Sequence, residues 1–91
     1  MILTCPNEIN TVKQYNSIKI FLAGGITNCP DWQSKIAPII NNVDSDNLLI
    51  INPRREYFDI KNKNIQEEQI IWEYKHLQLS NIIVFWFCKE T

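Results

Sequence analysis

Two adjacent glycines, Gly24-Gly25, follow directly on the apolar run Ile18-Lys19-Ile20-Phe21-Leu22-Ala23. Glycine lets a backbone approach a ligand closely, and a helix start just beyond it offers free N–H groups to an oxygen-rich group. The string is neither a dinucleotide fingerprint nor a phosphate-binding P-loop, since no Lys-Ser/Thr pair follows. A tight turn that needs positive φ is the plainer alternative. A second cluster, Asn52-Pro53-Arg54-Arg55, follows the apolar run Leu48-Leu49-Ile50-Ile51. Its proline stops a strand, and its two guanidiniums suit carboxylate, phosphate or a substrate hydroxyl. The alternative is a solvated basic turn paired with Glu56 or Asp59. Glu73 and His76, three apart, are neighbours on a helix and of types suited to acid–base work. A surface contact beside a packed core histidine is the favoured reading of that pair.

The elements that must position these residues follow from pattern. Ile18 to Ala23 reads as a strand with a sharp exit. Asn28, Pro30 and Asp31 supply helix-start chemistry, and Trp32, Ile36, Ile39 and Ile40 recur at helical spacing. Pro38 within that pattern is expected to kink or shorten the helix. Asp44 to Asn47 is a turn, and Leu48 to Ile51 a second buried strand. After a polar loop from Arg54 to Lys63, Asn64 caps a second helix, with Glu67 completing a capping box. Ile65, Gln69, Trp72, His76 and Leu79 form its apolar stripe, widened by Ile70, Ile71, Tyr74 and Leu77. Asn81 opens a third strand, Ile82 to Cys88, apolar enough to be expected in the middle of a parallel sheet. Trp32, Trp72 and Trp86 read as core.

The order β-α-β-α-β with right-handed crossovers gives an α/β fold in which helices pack against a three-stranded parallel sheet, half of a doubly wound architecture. Both Gly24-Gly25 and the Asn52 to Arg55 cluster then fall at the carboxyl edge of the sheet, where such folds bind ligands. Residues 1–17 read as a leading arm with a short edge strand, and 18–91 as one domain.

Composition bounds the rest. With 45% hydrophobic residues and 11% aromatics the chain is not disordered, and a net charge of −1 leaves no footprint for nucleic acid or an anionic membrane. Its longest apolar run is too short to span a bilayer. No leader peptide is expected from Met1 to Pro6. Cys5, Cys29 and Cys88 lack metal-ligand or redox spacing, so reduced thiols in a cytoplasmic protein are expected, with no metal and no cofactor.

Taken in order, Ile20-Phe21-Leu22-Ala23-Gly24-Gly25-Ile26, Asp31-Trp32-Gln33, Asn52-Pro53-Arg54-Arg55, Gln69-Ile70-Ile71-Trp72-Glu73 and Phe85-Trp86-Phe87-Cys88-Lys89-Glu90-Thr91 resemble the nucleoside 2-deoxyribosyltransferase-like family. The resemblance implies a three-layer flavodoxin-like (Rossmann-like) sheet. It also implies cleavage of the N-glycosidic bond of 2′-deoxynucleosides, the sugar passing to another base or to water. It places Phe21, Ala23, Gly24, Gly25 and Ile26 along the base and sugar pocket, with Asn52, Arg54 and Arg55 at its rim. Glu73 stands where the family has a helical acid suited to proton exchange with the base. Gly25 stands where serine is more usual. In relatives the nucleophile follows in a Glu-Leu-Gly helix, and that string does not occur here. The domain is therefore expected to be incomplete relative to the five-stranded family fold. A second copy or a complementing carboxyl-terminal half is the expected partner, and a ligand-sequestering nucleoside or nucleotide module without turnover is the alternative.

Overall fold

The structure is a computed structural model and describes residues 1–11, 13–26, 29–55 and 61–87. Its centre is a four-stranded, all-parallel sheet in the order β1-β3-β2-β4, formed by β1 (Ile2–Thr4), β2 (Ile18–Gly24), β3 (Leu48–Asn52) and β4 (Ile82–Trp86). Helix α1 (Trp32–Asn41) follows β2, and α2 (Lys63–Leu79) follows β3. The β2-α1-β3-α2-β4 unit has the strand order of the first half of a flavodoxin-like sheet. The expected three-stranded sheet becomes four-stranded because the leading arm adds β1 beside β3, with Ile2 opposite Ile50. The amino terminus anchors that addition by donating to Leu48 O at 2.9 Å, and Ile50 N donates to Met1 O at 2.8 Å.

Alternation along the central strands builds two cores. Ile20, Leu22 and Ile50 face α1 and pack on Ala37, Trp32, Ile36 and Ile40. Phe21, Leu49 and Ile51 face α2 and pack on Trp72 and Cys5, with Leu3 and Leu77 at the margin. Each such side chain contributes about 1.5–3 kcal/mol on burial, so two layers of helix are what hold the short sheet together.

Several expected boundaries move. Asp31, not Asn28, caps α1, accepting from Ser34 N at 3.2 Å; Asn28 lies outside the described residues. Burial alone would raise the Asp31 carboxyl, but the Ser34 hydrogen bonds and the charges of Arg54 and Lys35 hold it below its ordinary value. The helix runs through Pro38 to Asn41, and Pro38 is on its exposed side. Asn62, rather than Asn64, caps α2 by accepting from Asn64 N and Ile65 N.

The narrow stripe Gln69, Trp72 and His76 is buried as expected, whereas Ile70, Ile71 and Tyr74 on α2 and Ile39 on α1 are exposed. Apolar neighbours on either side of a helix stripe cannot all reach one sheet: the rotation of α2 that buries Trp72 turns Ile70, Ile71 and Tyr74 outward, and that of α1 which buries Gln33 and Ala37 turns Ile39 outward. The third expected strand is an edge, not a centre. β4 pairs with β2 alone among the described strands, and Ile82, Ile83, Phe85 and Trp86 are exposed. Asn81 sets its register by donating to Lys19 O and accepting from Lys19 N, each at 2.8 Å.

Candidate active site

The carboxyl ends of β2, β3 and β4 meet at one edge of the sheet. Gly24 there has φ of +133°, and a Cβ on it would lie 2.2 Å from Trp86 O. Glycine is required at this position by both its backbone conformation and the close pass of β4, its registered neighbour. Positive φ, the plainer sequence reading, therefore holds for Gly24. Trp32 fixes the next residues by donating from Nε1 to Gly25 O at 3.1 Å while packing against Trp86, ring centroids 5.4 Å apart.

The Asn52 to Arg55 cluster braces this edge to both helices. Asn52 is buried and its Oδ1 accepts from Arg54 N at 2.9 Å, closing a side-chain turn just beyond the strand. The two arginines then part to opposite faces. Arg54 Nη1 donates to Pro30 O at 2.7 Å and Gln33 Oε1 at 3.3 Å, and Nη2 donates to Ile26 O at 3.2 Å and Cys29 O at 2.9 Å. Nε lies 3.7 Å from the Asp31 carboxylate. The guanidinium thus ties together the turn between β2 and α1. Arg55 goes to the other layer, donating from Nε to Gln69 Oε1 at 2.6 Å and from Nη2 to Glu68 at 2.9 Å. Glu56 and Asp59, the alternative partners, lie outside the described residues.

Each arginine therefore ends on a buried glutamine of a different helix. Gln33 is fully buried, and its Nε2 has no hydrogen-bond partner among the described residues. Gln69 is a hub: its Oε1 also accepts from the Cys5 thiol at 3.1 Å, and its Nε2 donates to Pro53 O at 2.8 Å. One turn further along α2 stands Glu73, half-buried. Desolvation raises its carboxyl above the ordinary value, with a hydrogen bond from Gln69 acting in the opposite direction. Burial likewise pushes the Cys5 thiol up to about 11 against the pull of Arg55, which makes it an inert buried thiol. A half-buried acid with raised proton affinity can hold a proton for transfer nearer neutrality than a solvated one.

The structure brings Gly24, Gly25, Ile26, Asn52, Arg54 and Arg55 to the one edge, and sets Glu73 on the α2 side of it. Phe21 is 1% exposed and packs on Trp72 at 6.4 Å, so its side chain belongs to the core; Ala23 lies partly buried against the same cluster. His76 is a core histidine, stacked on Trp72 at 4.0 Å with Nδ1 2.8 Å from Trp72 O. Its Nε2 approaches Glu8 of the arm at 3.6 Å, so its charged neighbour comes from the arm. Cys29 is disulfide-bonded with a partner outside the described residues, which corrects the expectation of three reduced thiols. Sequence reasoning missed Gln33 and Gln69 as site residues; the available signal was a glutamine standing on the sheet-facing side of each helix.

A separate cleft of about 320 Å³ lies between the arm and the outer side of α2, lined by Pro6, Glu8, Glu67 and Lys75 among others. It includes none of the residues expected at the site. Among the described residues no group of His, Cys, Asp and Glu could hold a metal ion, and no helix is long and apolar enough to cross a membrane.

A parallel sheet between two helix layers, with a glycine turn at its carboxyl edge, defines a flavodoxin-like α/β protein. The model of the family described as nucleoside 2-deoxyribosyltransferase like matches residues 17–91, and the chain belongs to that family. No curated protein matches the sequence.

Proposed function

We propose that the chain binds a 2′-deoxynucleoside or nucleotide at the carboxyl edge of the sheet and contributes to cleavage of its N-glycosidic bond. The observation that supports this most is Glu73, a half-buried acid whose proton affinity is raised by desolvation, one turn along α2 from the Gln69 that Arg55 holds. The backbone of Gly24, Gly25 and Ile26 lies against the ligand, with the Ala23 and Phe21 segment of β2 beneath it. Asn52, Arg54 and Arg55 hold the rim in shape.

In the first displacement a glutamate carboxylate attacks the anomeric carbon, and the C–N bond breaks. The electron pair goes to the base nitrogen, and Glu73 supplies a proton to the departing base. In the second, an incoming base or water attacks the glycosyl ester, loses a proton to Glu73 and frees the nucleophile. We assign the nucleophile to a complementing segment outside these 91 residues, since the family's Glu-Leu-Gly string does not occur in them. That segment would extend the sheet beyond β4, which among the described residues pairs on one side only and exposes both faces. The alternative is a module that sequesters the nucleoside without turnover.

The test is to incubate the folded chain with a 2′-deoxynucleoside and a second free base, following both bases by chromatography. Silence from the chain alone, with exchange once a Glu-Leu-Gly segment is supplied, is the expected pattern. Saturable binding with no exchange under either condition would establish the sequestering module instead. A folded chain that binds no nucleoside would overturn both.

A further inference from the structure

We propose that the leading arm is held to α2 by a proton-controlled latch: a proton taken up by His76 makes its Nε2 a donor to Glu8 and tightens the arm over the helix. The inference stands apart from the proposed nucleoside chemistry and needs no ligand to test.

Both ring nitrogens of this fully buried imidazole face acceptors. Nδ1 lies 2.8 Å from Trp72 O, and a carbonyl only accepts, so the ring proton sits there. Nε2 lies 3.6 Å from Glu8 Oε2 and has no hydrogen-bond partner among the described residues. In the neutral ring it is a bare lone pair set against a carboxylate. The other neutral tautomer would move the same conflict to Trp72 O. Only the ring with two protons offers a donor to each acceptor. Burial opposes charge, yet a buried charge is tolerated where it is paired and hydrogen-bonded. The ring also lies on the Trp72 indole, centroids 4.0 Å apart, and stands in the last turn of α2. Both settings favour a cation.

Among the described residues, the charged or titratable groups on the elements packed here are Glu8 and Cys5 from the arm and Lys75 and Glu73 from α2. Phe21, Leu49 and Ile51 of β2 and β3 meet this layer without charge. Cys5, pushed up to about 11, stays a thiol across neutrality. With the ring neutral, the arm's charged tie is Lys75 to Glu8 at 2.8 Å, each side chain 56% exposed. Such an exposed pair holds weakly. A charged ring adds a buried donor to the same carboxylate, and Glu8 then bridges two cations. Asn7 beside it accepts from Trp72 Nε1 at 2.8 Å, and Cys5 reaches Gln69 at 3.1 Å. The latch thus governs a run of arm contacts that ends on the amide holding Arg55. Its grip is present while the ring is charged and weakens as pH rises through the imidazole range.

The experiment follows exchange of the Trp72 indole N–H by NMR across the imidazole range, above the ordinary carboxylate range. It compares the 91-residue chain with Glu8→Ala and Lys75→Met. His76 is the only histidine, so its ring-nitrogen signals report its charge directly. With the intrinsic hydroxide dependence removed, the indole N–H is expected to be about tenfold better protected with the ring charged than neutral. That factor is the worth of one hydrogen bond between charged groups. Glu8 and Lys75 are both exposed, so both variants are expected to fold. Glu8→Ala loses the difference, and Lys75→Met keeps it, because the ring and not the lysine carries the change. A difference that survives in Glu8→Ala would come from Glu73 or another group and would overturn the proposal. Its loss in Lys75→Met would do the same. So would a ring that stays neutral throughout, or protection indifferent to its charge.

Discussion

Glu73 carries opposite consequences for activity and stability. Its folded-state proton affinity is raised by desolvation, so the native state binds this proton more tightly than the unfolded chain does. The linkage sign follows: its contribution to stability is fully present below the ordinary carboxylate range and is lost as pH rises through the folded value. Glu73→Gln removes that dependence. We expect the variant to gain on the wild type in melting temperature as pH rises from 4 to 8, and to lose about 10²–10⁴-fold in base exchange when the complemented protein is assayed. A variant that gains no stability with pH, or that retains full exchange, would show that Glu73 is neither desolvated nor the proton carrier. Arg54 differs in kind, because its donors are already committed to Ile26, Cys29, Pro30 and Gln33. Arg54→Met strips three loop carbonyls of their partner and costs about 2–3 kcal/mol in denaturant unfolding. Nucleoside affinity falls with it because the turn before α1 loses its shape. Neither arginine's partner was legible, since Arg54 reaches 21 residues back to Gln33 and Arg55 reaches 14 forward to Gln69. Sequence shows residue types and local spacing; these pairs are made by the fold.

At the scale of elements, what was legible was whatever declares itself locally. Ile18 to Ala23 and Leu48 to Ile51 are β-branched or apolar runs ended by glycine or proline, and both are strands. The Gln69, Trp72 and His76 spacing fixed the buried side of α2. Less was legible where the signal is short or symmetric. A short edge strand was expected in the arm, but three residues, Ile2 to Thr4, are too few to show alternation, so its position and its register beside β3 are visible only in the fold. Apolarity also could not tell a central strand from an edge: β4 reads as buried, and its neighbours decide otherwise. Gly24 is the hinge between these cases, because it lets β4 lie against β2 at the very end of the sheet. Gly24→Ala puts a methyl into Trp86 O and forces a side chain into a positive-φ conformation. We expect a loss of about 2–4 kcal/mol, with the Trp32–Trp86 packing lost first. Fluorescence of those indoles during unfolding checks this; an alanine variant that melts with the wild type would mean that β4 can shift at no cost.

The whole molecule is asymmetric, and that asymmetry determines how it meets a partner. On the β1 side, the arm returns over the sheet and is clasped to α2. Trp72 Nε1 donates to Asn7 O at 2.8 Å, and Lys75 pairs with Glu8 at 2.8 Å. Nothing comparable among the described residues lies on the β4 side. There a row of apolar side chains, including Ile83 at 54%, Phe85 at 57% and Phe87 at 82% exposure, flanks a strand with hydrogen-bonded pairing on one side only. An uncovered edge of that kind templates a further strand. The proposed complementing segment would be captured there by backbone pairing, with aromatic side chains supplying the buried area. A charge placed on this face leaves the two cores untouched, since neither includes Phe85. Phe85→Lys is therefore expected to leave the melting temperature within a few degrees of wild type. Affinity for a supplied Glu-Leu-Gly segment, and any self-association seen by sedimentation, should weaken by about tenfold or more. Lysine at Ile70, exposed on α2 and remote from both cores, is the control and should change neither. If the two lysine variants behave alike, β4 is not the docking edge, and the nucleophile must reach the sheet from another side.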